Sequence, residues 1–172
     1  MTTIVAVETK DGVTLAGDSR GTGPAVNDGW LTKIFENGGI TFGVSGYIRI
    51  MQLLQYADLP ELPKTDNHKK IEKWITQRLV PAWLALDKQL SEIEKDWGNS
   101  SGAIAVIKGR AYTIEPGGGW TRSSQGFYAI GSGSRYALGA LAAGATAKQA
   151  VKIAAKFDAA TNDQVHVVSL KA

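Results

Sequence analysis

The order of apolar patterns along this 172-residue chain predicts an α+β fold in which strands and helices occupy separate layers. Three observations carry that reading. Alternating apolar runs come in pairs at the N-terminus, a long stretch of helical periodicity follows, and a second block of strands, helices and one last strand closes the chain. Strands therefore cluster with strands, and the regular βαβ alternation of a parallel sheet is missing.

The first pair runs from Thr3 to Val7 and from Gly12 to Ala16, with Lys10, Asp11 and Gly12 as a hairpin turn signal between them. A looser segment, GTGPAVNDGW, leads into LTKIFENGGITFGVSG, where two apolar runs flank Asn37, Gly38 and Gly39 and read as a second hairpin. Beyond Gly46 the spacing of Ile48, Met51, Leu53, Leu54 and Tyr56 suits a helix, which Pro60 ends. From Asp66 to Trp97 the chain is most strongly helical. Trp83, Leu86, Leu90, Ile93 and Trp97 recur at steps of three and four, and Pro81 is expected to start, kink or divide the helix. Trp74, Trp83 and Trp97 at helical spacing read as packing and not as a ligand cage. GAIAVIKGRAYTI is a third hairpin about Lys108, Gly109 and Arg110, EPGGGWTRSSQG a polar loop, and FYAIG a strand. GSGSRYALGALAAG reads as a glycine turn feeding a small-residue helix. TAKQAVKIAAKFDAA reads as a second helix opened by a Thr146/Gln149 capping box, and QVHVVSL as the closing strand. No repeat period or low-complexity linker divides residues 1–172, which read as one domain.

Composition narrows the function classes. A hydrophobic fraction of 44% and a charged fraction of 20% are those of an ordinary globular protein. The net charge of +3 is small and its cations are scattered, apart from the short run His68, Lys69, Lys70, so nucleic acid is not an expected partner. With no cysteine there are no disulfides, thiolate metal sites or cysteine nucleophiles. No apolar run approaches the length of a membrane span and the N-terminus lacks the pattern of a secretory signal, so the expected address is the cytoplasm, away from any membrane.

The two histidines, His68 and His166, leave few candidates for a serine–histidine–carboxylate triad. HExxH, the phosphate-binding loop and the EF-hand spacing are absent, and in GSGSRY the third glycine of a dinucleotide fingerprint is replaced by Tyr136. What remains is the N-terminus. A terminal threonine carries a hydroxyl nucleophile and, on the same residue, an α-amine of ordinary pKa about 7.7–8.0, close to what a general base needs at neutral pH. Removal of Met1 would expose Thr2 in this form, and the small side chain of Thr2 favours that removal. Lys33 and Asp18, each at the edge of a strand-like run, are candidates to tune such a site.

These segments resemble a known family, the β-type subunits of proteasomes and the HslV peptidase, which are N-terminal nucleophile hydrolases. TTIVAVETKDGVTLAGDSRGT is similar to that family's first strand pair, TKIF to its lysine strand and GVSG to its glycine segment. AIGSGSRYALGAL is similar to its serine-bearing helix entry, and KFDAATNDQVHVVSL to its closing helix and strand. The matches are colinear and span most of the chain outside roughly Leu59 to Ser100.

The resemblance implies a four-layer αββα sandwich and a set of roles. Thr2 would be the nucleophile and its freed amine the proton acceptor. Lys33 would lower the hydroxyl's pKa, and Asp18 would orient Lys33. The Gly46 N–H would form the oxyanion hole, Ser132 would bond near the Thr2 amine, and Asp158 and Thr161 would order the region. Thr22, with Val44 and Gly46, would meet an extended polypeptide substrate. Ala155, Asp158 and Thr161 stand at the spacing where some members hold a structural monovalent or divalent cation through carbonyl oxygens; no cofactor is expected for hydrolysis itself. The implied assembly is a homo-oligomeric ring that degrades unfolded polypeptides delivered by an AAA+ ATPase unfoldase. The run Tyr47, Ile48, Arg49 after Gly46 departs from the small-residue and aspartate run usual in proteasomal subunits, whereas a single residue before the threonine is as in the HslV type. Two other readings stay open: a catalytically silent ring or scaffold subunit that keeps Met1, and a small-molecule amidase of the same superfamily.

Overall fold

A computed structural model describes residues 2–22, 26–27, 31–91 and 101–172. The first hairpin pairs β1 (Thr3–Thr9) with β2 (Gly12–Asp18), and the second pairs β5 (Ile34–Asn37) with β6 (Ile40–Ser45). Between them the looser segment forms a two-residue ribbon, β3 (Gly21–Thr22) with β4 (Val26–Asn27). Helix α1 (Ile48–Tyr56) stops ahead of Pro60. The third hairpin is β7 (Gly102–Ile107) with β8 (Arg110–Ile114). The stretch expected to be only loop carries a further short strand, β9 (Trp120–Thr121), which pairs with Thr113 and Ile114. The Trp120 indole holds it there by packing edge-on against Tyr112 and donating to Thr76 Oγ1 at 3.0 Å. Strand β10 (Phe127–Gly131), helices α4 (Ser134–Ala142) and α5 (Ala147–Ala154) and strand β11 (Val165–Lys171) complete the chain, with the expected Thr146/Gln149 capping box in place at α5.

The strongly helical stretch is not one uniform helix. Helix α2 (His68–Trp74), opened by the Asn67 side chain accepting from the Lys70 N–H, passes into a π-helical turn over Ile75–Leu79 and then into α3 (Val80–Ser91). Pro81 lies in the first turn of α3. A proline there would otherwise clash with the carbonyl four residues back, and the wider turn, closed by the Val80 N–H on the Ile75 carbonyl, is where the ladder changes register. Ile93 and Trp97 lie outside the described residues.

Two antiparallel sheets stack face to face, in the orders β10-β1-β2-β11 and β5-β6-β7-β8-β9. Ile4, Ala6, Val13 and Leu15 meet Ile34, Ile104, Val106 and Tyr128 between the sheets. Val5 and Ala16, on the other face of the first sheet, pack under Ala137, Leu141, Ala150 and Val151 of α4 and α5. Phe42, Val44, Ala105 and Tyr112, on the outer face of the second, pack under Ile50, Leu54, Ile75, Leu79 and Trp83 of α1 to α3 and the π turn. The layers are therefore α, β, β, α. Strand β1 is buried on both faces, which explains why its sequence, TIVAV, is apolar without alternation. Trp83 is fully buried and Trp74 packs against the same core, as their helical spacing predicts.

Candidate active site

Four strand ends meet at one edge of the first sheet, and the register brings the predicted residues together there. Ile4 pairs with Gly17, so Thr2 and Thr3 at the start of β1 face Asp18 at the end of β2. Thr3 pairs with Gly131 at the end of β10, and Val165 at the start of β11 pairs with Asp18. Lys33 enters from the second sheet, one residue before β5.

Asp18 is the hub of this edge and is almost completely buried. Its Oδ1 accepts from the Thr2 hydroxyl at 3.0 Å, the Thr3 N–H at 2.9 Å and Lys33 Nζ at 2.9 Å. Its Oδ2 accepts from the Arg20 N–H at 3.0 Å and the Asn162 N–H at 3.4 Å. Lys33 Nζ also contacts Thr2 Oγ1 directly. Hydroxyl, ammonium and carboxylate thus form a closed triangle away from water, where charge-assisted hydrogen bonds are strongest. Burial pushes the Lys33 pKa down and the ion pair with Asp18 pushes it up; burial wins, so the ammonium releases its proton more readily than an ordinary lysine.

A second layer of hydroxyls lies behind the triangle. Ser132 Oγ donates to Asp158 Oδ2 at 2.6 Å and reaches the Thr2 carbonyl at 3.5 Å. Thr161 Oγ1 donates to Asp158 Oδ2 at 2.6 Å and shares a 2.6 Å hydrogen bond with Thr3 Oγ1. Burial raises the Asp158 pKa, but hydrogen bonds from Ser132, Thr161 and the Ala160 N–H outweigh it and leave the carboxyl below its usual range. Ser132 does not cap α4, whose N-cap is Gly133. The glycines of GSGSRY serve close approach and not a dinucleotide. A Cβ on Gly131, at φ +92°, would stand 2.0 Å from the Thr2 carbonyl oxygen, and one on Gly133 would stand 2.1 Å from Thr3 Oγ1.

Gly46 follows the end of β6 at φ +119°, pressed so closely on Ser101 that a Cβ would lie 2.4 Å from its Oγ. That conformation favours glycine. Thr22 is exposed on the β3–β4 ribbon opposite Val26. Val44, expected to meet the substrate, has its side chain fully buried under the helices and donates its N–H to the Lys33 carbonyl at 2.9 Å. His166 is exposed on β11 opposite Gly17, and His68 opens α2. Sequence reasoning missed Thr3 and Asn162. Asn162 donates its N–H to Asp18 and accepts from the Ser19 N–H at 3.1 Å. An Asn three residues before a strand carries no distinctive signal, whereas Thr3 beside Thr2 was a visible second hydroxyl.

No family model and no curated protein matches the sequence. Solved structures do. The chain is similar to the BPH protein of Thiobacillus denitrificans, in complex with epoxomicin, with 22% identity, 98% of each chain covered and a TM-score of 0.76. It has the fold of proteasome-like N-terminal nucleophile hydrolases. Eukaryotic HslV from Trypanosoma brucei aligns over 99% of both chains at 22% identity and a TM-score of 0.65. The Anbu complex of Pseudomonas aeruginosa, described as a helical assembly, aligns over 98% of this chain and 81% of its own at 16% identity and a TM-score of 0.73. Among the described residues no helix is long and apolar enough to cross a membrane.

Proposed function

We propose that this chain is an N-terminal threonine peptidase whose nucleophile is Thr2. The observation that carries the proposal is the Thr2 hydroxyl held between Asp18 and Lys33 on the residue that follows Met1. Cleavage after Met1 frees the Thr2 amine. The Thr2 Oγ then attacks the carbonyl carbon of a peptide bond while its proton passes to that amine, and the neighbouring Lys33 ammonium favours the forming alkoxide. The Gly46 N–H stabilises the oxyanion. Collapse breaks the C–N bond, the leaving amine takes the proton, and water hydrolyses the ester left on Thr2. Ser132, Asp158 and Thr161 orient the freed terminus through the hydroxyl chain that ends on Thr3. Thr22 pairs with an extended substrate by strand addition.

The substrate class is polypeptide, and the working unit is a homo-oligomer. BPH, HslV and Anbu as structural neighbours support this reading, with a helical assembly recorded for Anbu. Unfolded polypeptides handed over by an AAA+ unfoldase complete it, as the resemblance to the HslV type implies. A cytoplasmic address fits the same reading.

Thr2→Ala tests it. Hydrolysis of a fluorogenic peptide is expected to vanish while unfolding temperature and oligomeric mass stay near those of the parent. Epoxomicin, which BPH holds, is expected to raise the melting temperature of the parent and not of Thr2→Ala. Undiminished turnover in the variant, or an active preparation whose intact mass still includes Met1, would overturn the assignment.

A further inference from the structure

The turn between α5 and β11 is where the resemblance puts a metal cation, on the carbonyls of Ala155, Asp158 and Thr161. Its surroundings are wrong for one. Ala155 and Thr161 line a cavity of about 340 Å³ whose other walls include Arg20, Lys152 and Lys156, against the single carboxylate of Asp163. The Asp158 carbonyl already accepts the Thr161 N–H at 3.0 Å, and the Asp158 carboxylate is taken by Ser132, Thr161 and the Ala160 N–H. From Ser134 to Phe157, α4 and α5 with their flanks contribute Arg135, Lys148, Lys152 and Lys156 and no aspartate or glutamate. Three cationic side chains against one carboxylate give the cavity a net positive lining, which disfavours a metal ion there.

A side-chain cation is already on this turn. Arg20 Nη1 donates to the Ala159 carbonyl at 2.8 Å, on the residue that follows Asp158 in this turn. At its other end the Arg20 N–H donates to Asp18 Oδ2 at 3.0 Å. Arg20 thus ties the turn to the hub carboxylate, which is the service a bound cation would give. Asn162 makes a parallel link, with its N–H on Asp18 and its side-chain oxygen on the Ser19 N–H. We propose that Arg20 replaces a metal ion in this chain, fixing the α5–β11 turn against the end of β2, and that Lys152 and Lys156 close the cavity to metal ions. Arg20 is then a positioning residue, and this holds whether or not Thr2 is a nucleophile.

Metal content and melting temperature of the full chain test the proposal without reference to activity. Protein passed through buffer containing magnesium, calcium and potassium chlorides is expected to carry no stoichiometric metal. Its melting temperature is expected to respond to those salts as it does to choline chloride at equal ionic strength. Arg20→Gln is expected to melt several degrees lower, and Arg20→Lys to recover part of the loss. Arg20→Gln combined with Lys152→Gln and Lys156→Gln is expected to gain a melting-temperature rise specific to the metal cation, as ligand linkage requires of a newly opened site. A stoichiometric metal or a metal-specific rise in the parent chain would overturn the proposal. So would an Arg20→Gln variant that melts with the parent, or a triple variant that gains no metal response.

Discussion

Asp18→Asn perturbs the centre of the candidate site with almost no change of shape. The carboxylate accepts three hydrogen bonds on Oδ1 and two on Oδ2, and every donor except the Thr2 hydroxyl is an N–H. An asparagine has one acceptor oxygen and one NH₂. If its oxygen keeps the Oδ1 place, its NH₂ confronts the Arg20 and Asn162 N–H groups; the reverse choice sets it against the Thr3 N–H and the Lys33 ammonium instead. Either way the buried Lys33 ammonium loses its counter-charge, and breaking a buried ion pair from one side costs about 3–5 kcal/mol. For a chain of this size each kcal/mol moves the melting temperature by about 2–4 °C, so the expected loss is roughly 6–20 °C at neutral pH.

The pH dependence makes this prediction specific to Lys33. Burial already holds the lysine below its ordinary value of 10.5, and Asp18 is the largest influence raising it, so removing the carboxylate lowers it further. A group whose pKa is depressed in the folded state adds stability that is fully present above its unfolded pKa and is lost as pH falls through the folded value. The asparagine variant therefore recovers stability as pH rises through its lowered Lys33 pKa towards 10.5, over a wider window than the parent, and the gap between them narrows. Thermal unfolding followed by circular dichroism at matched protein concentration across that range reads both effects. A melting temperature within a degree or two of the parent, or a gap that widens as pH rises, would refute the buried pair as the hub of the site.

Gly131→Ala puts a methyl group against the Thr2 carbonyl in a backbone conformation that favours glycine; a loss of more than about 2 kcal/mol in urea unfolding is expected, together with loss of turnover. Glu8→Gln, near the far end of β1, removes the 2.7 Å pair with Arg122 and weakens the bonds from the Ala111 N–H and the Tyr128 hydroxyl. About 1–3 kcal/mol of stability is expected to go while turnover per folded molecule stays unchanged. Asp158→Asn removes a carboxyl held below its usual pKa. The parent is expected to lose stability as pH falls from about 3.8 through the folded value, and the variant to show a shallower acid limb in the same titration.

Local chemistry made much of the molecule legible. The β1–β2, β5–β6 and β7–β8 hairpins needed only an apolar run on each side of a turn, and α5 carried its start in its own capping box. Long-range pairing was a different matter. That β10 lies beside β1 and β11 beside β2 is set by how four edges pack, and no neighbouring residues encode it. The site depends on those two pairings, because they carry Ser132 and Thr161 to a terminus more than a hundred residues away in the chain. Colinear resemblance supplied that long-range information, but it carries none about side-chain direction. Val44 sits in the segment that resembles the family's glycine stretch, yet the two-residue period of β6 turns it, with Phe42, into the core under the helices.

The same limit explains the cation site. Spacing alone placed three carbonyls of the α5–β11 turn within reach of one ion, but spacing does not report the charge that other elements bring. Lys152 arrives from α5 and Arg20 from the end of β2, so the electrostatics of the turn became visible only with the tertiary structure. Position-by-position expectation from a resemblance is therefore best constrained for groups that touch each other, as Thr2, Asp18 and Lys33 do. It is weakest for backbone ligands, because a carbonyl is present whatever the residue and cannot register whether its surroundings still suit the ion.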